Sequence, residues 1–302
     1  KSDAYGKAKL YYAEKFAGMN FTSLGQLPAD CTGNSIHEDA YIPAATIDDW
    51  CKENGTQSNL LFMAAFSFVA SIASREENVV FSSINHGRMD KRLRNAYGMF
   101  VKSNPILASI TPDKSVIDFI KGFRMELMST IRYGAYPFSH FCRDLKMTPT
   151  IEFGFQGVAM QEYLEIDGEK IYAEQLDRGK SSSNLTCIIY LDKGNYDIRL
   201  TASDAIFSRE KLEMLAKTIK NTTLNMMADP MGLLKNVSVM GEAERKQVEA
   251  LRVTAQEDIP WKLYYQPIEE NATKYAERTA LIAKDRTLTF AEFNVEAKRV
   301  AH

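Results

Sequence analysis

Between Asn54-Gly55-Thr56 and Arg75-Glu76-Glu77 lies a run, Leu60 to Ile72, whose apolar side chains are interrupted only by Ser67 and Ser71. A run this apolar offers no polar face to water, so as a helix it must be enclosed on all sides. It is too short to cross a bilayer, which takes about 20 residues. The chain must therefore build a core thick enough to surround a helix. Val79-Val80-Phe81 follows and does not alternate, which predicts a strand covered on both faces. With 302 residues, 45% of them hydrophobic and 25% charged, the chain has the material for such a core, and readings as a disordered or low-complexity protein are excluded.

The rest of the chain mixes both element types. Tyr5, Ala8, Tyr12 and Phe16 form a helical stripe ended by Gly18, and Pro28 and Gly33 punctuate the loop before an extended stretch at Ala40 to Ile42. Thr46 is expected to cap a short helix through Lys52, and Thr56 or Ser58 to cap the apolar helix. Residues 115 to 132 place Val116, Ile120, Phe123, Leu127 and Ile131 on one helical face, with Gly134 beyond its end. A strand is predicted over Thr150 to Phe155. Two hairpins follow: Tyr163 to Ile166 with Lys170 to Ala173 about Asp167-Gly168, and Leu185 to Leu191 with Tyr196 to Leu200 about Lys193-Gly194-Asn195. A helix from Ser208 buries Leu212, Leu215, Ile219 and Met226 and ends at Asp229-Pro230. The pattern is that of an α/β or α+β sandwich.

After Pro230 the texture changes. A charged helix opens at Gly241-Glu242, and Gln256 to Trp261 reads as an extended linker. A new unit then begins with a helix (Ile268 to Arg278), a strand (Ala280 to Ala283), a turn at Lys284-Asp285-Arg286 and a strand-to-helix step from Leu288. About 36 residues cannot close a core alone. The N-terminus, Lys1 to Tyr5, has neither a starting Met nor a signal-peptide core and reads as the middle of a longer chain.

Composition excludes several functions. Lys+Arg 37 against Asp+Glu 39 gives a formal charge of −2, so no global basic field points to nucleic acid or an anionic membrane. The cysteines Cys31, Cys51, Cys142 and Cys187 are too scattered for a disulfide framework or a zinc site, which suits a reducing cytoplasm. His37, His86, His140 and His302 never occur as a pair, and neither His86 nor His140 meets the requirements of a catalytic triad; His86 reads as a loop residue and His140 as a packed helix residue. Asp48-Asp49 and Glu76-Glu77 read as solvated surface. There is no phosphate-binding glycine loop, nucleophile elbow or metalloprotease helix.

Above this background stands an ordered set of segments: Gly87-Arg88; Tyr97-Gly98-Met99-Phe100-Val101 with Pro105; Tyr136-Pro137-Phe138; Arg143-Asp144 with Pro149; and Phe153-x-Phe155-Gln156. In order and spacing over about 230 residues the set resembles the C-terminal half of a nonribosomal peptide synthetase condensation domain. That family carries Gly-x-Phe-Val-Asn-Thr, Gln-Asp-x-Pro-Phe-Glu and Arg-Asp-x-x-x-Asn-Pro segments. Leu10 to Gly18 resembles the helix preceding this half, and Ser203 to Phe207 the Asp-Leu-Phe near its end. Glu242-Ala243-Glu244-Arg245 and Thr254 resemble the linker that follows. Leu288-Thr289-Phe290-Ala291-Glu292-Phe293 resembles the opening motif of an adenylation domain. The chain departs from the family at Lys102, Gly134-Ala135, Ser139 and Asn184.

The resemblance implies a chloramphenicol-acetyltransferase-like fold. Residues 1–235 would be the C-terminal subdomain of a condensation domain, 236–266 a linker and 267–302 the start of an adenylation domain. The reaction would join a donor acyl or peptidyl thioester to an acceptor amine, both delivered on phosphopantetheine by carrier proteins. The catalytic His-His-x-x-x-Asp-Gly motif of the family belongs to the N-terminal subdomain and is not in this sequence, so the segment alone is expected to be inactive. Implied partners are that subdomain, the donor and acceptor carrier proteins, and the downstream adenylation domain, which uses ATP and Mg2+ beyond these residues. Arg88 is expected to pair with the Asp of the histidine motif across the subdomain interface, or else to cap the strand end. Gly87, Gly98, Phe100, Arg143 and Asp144 would be structural, Gly98 in a strand and Phe100 as a core anchor. Phe153, Phe155 and Gln156 would either line the tunnel for the phosphopantetheine arm or pack the core. A noncatalytic scaffold and a cyclisation or epimerisation domain of the same superfamily are the alternatives.

Overall fold

A computed structural model describes residues 2–25, 33–85, 87–88, 91–93, 96–157, 163–172, 179, 184–252 and 263–301. Pro28, Cys31, His86, Ala173, Thr254, Trp261 and His302, each noted above, lie outside them, as does most of the linker. Two compact units are present, Lys1–Arg245 and Lys246–His302.

The larger unit runs α1 (Asp3–Lys15), β1 (Ser35–Pro43), α2 (Ala44–Glu53), α3 (Ser58–Ser74), β2 (Asn78–Asn85), β3 (Lys102–Ser109), α4 (Val116–Arg132), α5 (Phe138–Leu145), β4 (Ile151–Gln156), β5 (Tyr163–Ile166), β6 (Glu169–Tyr172), β7 (Leu185–Asp192), β8 (Asn195–Ser203) and α6 (Arg209–Ala228), followed by α7 (Glu242–Arg252). Six strands form one mixed sheet in the order β1-β8-β7-β4-β2-β3. β2, β4 and β7 are parallel, and the flanking pairs are antiparallel.

The apolar run is α3, with Leu60 to Ala70 buried. It packs with α2, α4 and α6 on one face of the sheet, against Val79 and Phe81 of β2, Phe153 of β4 and Ile198 of β8. The other face carries a second cluster in which Val80 of β2 meets Tyr12 and Phe16 of α1 and Phe141 of α5. Val79, Val80 and Phe81 are 0%, 1% and 0% exposed. The unbroken apolar triplet thus serves two cores at once.

Local chemistry sets the helix ends. The Ser115 and Ser208 hydroxyls accept the first free amides of α4 and α6, from Asp118 and Lys211. In α4, Val116, Ile120 and Phe123 are buried and Leu127 half-buried, but Ile131 is exposed. α2 begins at Ala44, directly after β1 ends at Pro43, so the cap position is Pro43 and Thr46 already lies in the first turn of the helix rather than capping it. For α3 the cap position is Gln57, without a side-chain bond; Ser58 is already helical and Thr56 precedes the cap. Lys193 and Gly194 both take positive φ, so the second hairpin turns on two residues and Asn195 pairs with Asp192. Asp167-Gly168 does the same for β5 and β6, with Glu169 opposite Ile166.

The smaller unit holds α8 (Gln266–Lys274), β9 (Thr279–Ile282), β10 (Thr287–Thr289) and α9 (Phe290–Ala301). α8 stops four residues short of Arg278. Thr289 and Glu292 cap α9 reciprocally: the Thr289 hydroxyl accepts from the Glu292 amide at 3.3 Å, and the Glu292 carboxylate accepts from the Thr289 amide at 2.9 Å. Neither α8 nor α9 contains a fully buried residue. Among the described residues no single helix is long and apolar enough to cross a membrane.

Candidate functional site

The parallel strands β4 and β7 stay paired over six residue pairs, Ile151↔Leu185 to Gln156↔Tyr190. β2 and β4 pair only at Ser82↔Glu152 and Ser83↔Phe153. Beyond Phe153 these two strands part, and a cavity of about 790 Å³ opens at the carboxyl ends of the parallel strands, where open α/β sheets place their ligands. Its floor takes residues from β2 (Ser83 to Asn85), β4 (Phe153 to Gln156) and β7 (Ile188, Tyr190), and α3 and α4 wall it.

Phe153, Phe155 and Gln156 all line this cavity. Phe153 is also core: it is 0% exposed, with its ring centroid 5.5 Å from Phe66 and 6.5 Å from Phe81. Phe155 is half-buried, 6.4 Å from Phe62 and 5.8 Å from Tyr196. The Tyr196 hydroxyl donates to Asp48 at 2.8 Å, and burial pushes its pKa up to about 12, so it stays a neutral donor. Gln156 is exposed at the end of β4.

Gly87, Arg88, Gly98 and Phe100 come together beside the cavity. Gly87 has φ +67°, its amide donates to the Asn85 side chain at 2.8 Å, and a methyl on it would overlap the Phe100 carbonyl. The Arg88 guanidinium lies 4.5 Å from the Phe100 ring and donates to the carbonyls of Leu93, Ala96 and Gly98. One arginine thus holds the segment leading into β3. Two expectations are corrected. Gly98 precedes β3, which starts at Lys102, because its φ of +139° is not that of a strand. Phe100 is half-buried and belongs to neither core cluster, because its ring faces Arg88.

Arg143 and Asp144 lie on α5, away from the cavity lining. Asp144 accepts from Lys9 of α1 at 2.8 Å, from Arg143 at 2.9 Å and from the Tyr136 hydroxyl at 3.0 Å, and these donors hold its carboxyl well below the usual carboxylate range. The pair ties α1 to α5. His140, half-buried on α5, places its Nδ1 3.0 Å from the Tyr5 hydroxyl.

No histidine or cysteine lines the cavity among the described residues. Burial pushes the thiols of Cys51 and Cys142 up to about 12 and about 11, which removes them as nucleophiles near neutrality. No cluster of metal-ligating side chains occurs among the described residues.

Ser83, Asn85 and Met128, and the place of Leu127 in the cavity, are not marked in the sequence, nor is a charged cluster next to Tyr190. There Arg199 donates to Asp39 at 2.8 Å and to Asp197 at 3.1 Å, with its guanidinium 5.5 Å from the Tyr190 ring. Asp197 is 5% exposed, with one carboxylate oxygen lacking a partner. Burial and then Asp39 raise its pKa to about 6, against the pull of Arg199. The alternation Tyr196-Asp197-Ile198-Arg199-Leu200 was the available signal: it marks a strand with one apolar and one polar face.

The sequence model of the condensation domain family matches residues 1–249. The chain belongs to the condensation domain family. Curated relatives are nonribosomal peptide synthetases. Tyrocidine synthase 3 of Brevibacillus parabrevis is 26% identical over 322 residues, which cover 100% of this chain and 5% of the synthase. Bacitracin synthase 2 of Bacillus licheniformis is 22% identical over 83% of this chain and 10% of its own length. The chain thus spans a tenth or less of each of these relatives. Among solved structures, the first condensation domain of the calcium-dependent antibiotic synthetase matches with a TM-score of 0.65 and 13% identity, over 80% of this chain and 55% of that one. A four-domain nonribosomal peptide synthetase bound to AMP and glycine matches with a TM-score of 0.69 and 15% identity, over 100% of this chain and 26% of that one. The mixed α/β fold is that of condensation domains.

Proposed function

We propose that residues 1–235 act as the C-terminal subdomain of a condensation domain, residues 236–266 as the linker to an adenylation domain, and residues 267–302 as the start of that domain. The observation that carries this reading is the cavity at the ends of β2, β4 and β7. It is lined by the Phe153-x-Phe155-Gln156 segment, for which the family resemblance offers the tunnel or the core. The extent of the match, 55% of a solved condensation domain, supports the subdomain assignment. The match to a four-domain synthetase over the whole chain, with a separate unit from Lys246, supports the domain order.

In the complete module this half supplies one wall of the tunnel between two carrier proteins. The phosphopantetheine arms, carried by the partners, present the thioester carbonyl and the acceptor amine. The residues present suit such an arm: amide side chains of Asn85, Asn104 and Gln156 can pair with its amides, and apolar residues between them with its methylene and methyl groups. The amine attacks the donor carbonyl, the amide C–N bond forms, the C–S bond breaks, and the donor arm leaves as a thiol. The proton on the amine is taken by the histidine motif of the N-terminal subdomain, while this half orients the arm. Arg88 holds the wall's edge and, in this reading, reaches the Asp of that motif. ATP and Mg2+ serve the adenylation domain outside these residues.

The test is single-turnover amide formation by the complete module, given donor and acceptor carrier proteins loaded with aminoacyl groups. A dipeptidyl thioester on the acceptor carrier, seen by intact-protein mass spectrometry, is the expected product. Its absence with both carriers fully loaded overturns the catalytic reading.

A further inference from the structure

Ile198 and Leu200 of β8 enter the core under α3, so the alternate residues Asp197 and Arg199 lie on the opposite face of the sheet. There Asp197 stands directly across from Tyr190 of β7 and Tyr41 of β1, and Arg199 across from Asp39 of β1. One guanidinium serves both carboxylates. Its Nε donates to Asp39 Oδ1 at 2.8 Å, and its Nη2 donates to Asp39 Oδ2 at 3.0 Å and to Asp197 Oδ2 at 3.1 Å. The same guanidinium lies 5.5 Å from the centre of the Tyr190 ring, and Tyr190 lines the cavity. Asp197 is 5% exposed, and its Oδ1 has no donor among the described residues. A buried carboxylate oxygen without a donor favours the neutral acid. The groups whose charge acts on Asp197 are Asp39 and His37 from β1, Asp192 from β7 and Arg199 from its own strand, beside the phenols of Tyr41 and Tyr190. Burial first, and then the Asp39 charge, bring its pKa up to about 6.

We propose that Arg199 is a positioning residue for the cavity wall and that Asp39, Arg199 and Asp197 form a proton-linked switch acting on Tyr190. With Asp197 ionised, the guanidinium is drawn against the Tyr190 ring and fixes it at the cavity. A proton from solvent adds to Oδ1, the oxygen that no donor reaches, and cancels the charge of Asp197. Arg199 then keeps its two-point grip on Asp39, the one carboxylate of the pair still charged, and its hold on the Tyr190 ring loosens. The effect on the arm rests on the reading above, that the thioester arm enters this cavity; the switch itself belongs to the sheet and is measured apart from that reading. By linkage, an arm that binds better to the fixed ring favours the ionised form of Asp197 to the same extent.

The test has two arms on the 302-residue chain. In the first, tyrosine rings are labelled with carbon-13 and followed by NMR through mild acid to neutrality, with the Tyr190 signal assigned by its loss in Tyr190→Phe. The Tyr190 ring is expected to shift with a midpoint near pH 6, far below the ionisation of its own phenol, which burial raises above the ordinary value. Asp197→Asn is expected to abolish that shift, and His37→Gln, which removes the exposed histidine of β1, to leave its midpoint in place. No shift near pH 6, a shift that survives Asp197→Asn, or one that vanishes in His37→Gln overturns the switch. In the second arm, pantetheine binding is measured by calorimetry. It is expected to be about two- to fivefold tighter at about pH 7.5 than at about pH 5, the worth of an exposed cation–ring contact, and independent of pH in Asp197→Asn. Pantetheine binding that does not change with pH in the parent overturns the positioning role of Arg199 while the arm reading stands. If the Tyr190 ring titrates as expected but pantetheine fails to bind at either pH, the arm reading falls and the switch in the sheet stands.

Discussion

Gly87 offers the sharpest test of the geometry beside the cavity, because Gly18 provides an internal control. Both have positive φ, +67° and +72°, so Gly→Ala strains the backbone alike at the two positions, by about 1–2 kcal/mol. At Gly18 an added methyl meets nothing within 4 Å, whereas at Gly87 it overlaps the Phe100 carbonyl. Relieving that overlap requires moving Phe100, and with it the ring under Arg88 and the carbonyls Arg88 holds. Forced shifts of this kind cost about 1–3 kcal/mol. Gly87→Ala should therefore destabilise by about 2–5 kcal/mol and Gly18→Ala by about 1–2 kcal/mol. For a unit of this size the difference corresponds to a gap of roughly 2–12 °C in melting temperature. Urea and thermal unfolding followed by Trp50, whose indole donates to the Met227 carbonyl at 3.0 Å, reports on the larger unit. Equal losses for the two variants would refute the close approach of Gly87 to Phe100.

Other expectations follow from single contacts. Phe153→Ala removes a side chain 0% exposed among Phe66 and Phe81 and should cost about 3–5 kcal/mol in urea unfolding. Two carboxylates should give opposite pH slopes in melting temperature. The folded pKa of Asp144 lies below its unfolded value of about 4, so its contribution is present above that pH and is lost as pH falls; Asp144→Asn should converge on the parent under acid. The folded pKa of Asp197, about 6, lies above its unfolded value, so its contribution is present below about pH 4 and is lost as pH rises through 6. Asp197→Asn should gain on the parent as pH rises from about 4 to 6 and hold a constant difference above that. Arg88→Ala in the complete module should lower soluble yield and amide formation together, and Arg88→Lys should fail to restore them, since a single ammonium cannot reach three carbonyls and stack on Phe100; unchanged yield and rate would remove Arg88 from this role.

The elements with strong periodicity were legible. The run from Leu60 could only be an enclosed helix, the triplet at Val79 could only be a strand between two cores, and Lys193-Gly194 marked its hairpin. What sequence could not place was the opening between β2 and β4. It arises from a short register, Ser82↔Glu152 and Ser83↔Phe153, between strands about 70 positions apart, and no local pattern encodes where such strands part. The same limit hid Met128 and Leu127, which belong to the site only because α4 crosses that opening. Phe100 was misread because the family resemblance makes it a core anchor, whereas it belongs to neither core cluster. Its partner is the guanidinium of Arg88, twelve residues earlier, next to Gly87, whose backbone lies against the Phe100 carbonyl. Motif order, by contrast, pointed to the family directly, and the family's sequence model matches residues 1–249.

The central claim is that the reacting arm lies at the carboxyl ends of β2, β4 and β7. A crystal structure of the complete condensation domain with a non-hydrolysable aminoacyl-pantetheine analogue tests it most directly. The account predicts density for the analogue against Phe155 and Gln156. Density elsewhere, with this cavity holding only water, would contradict it.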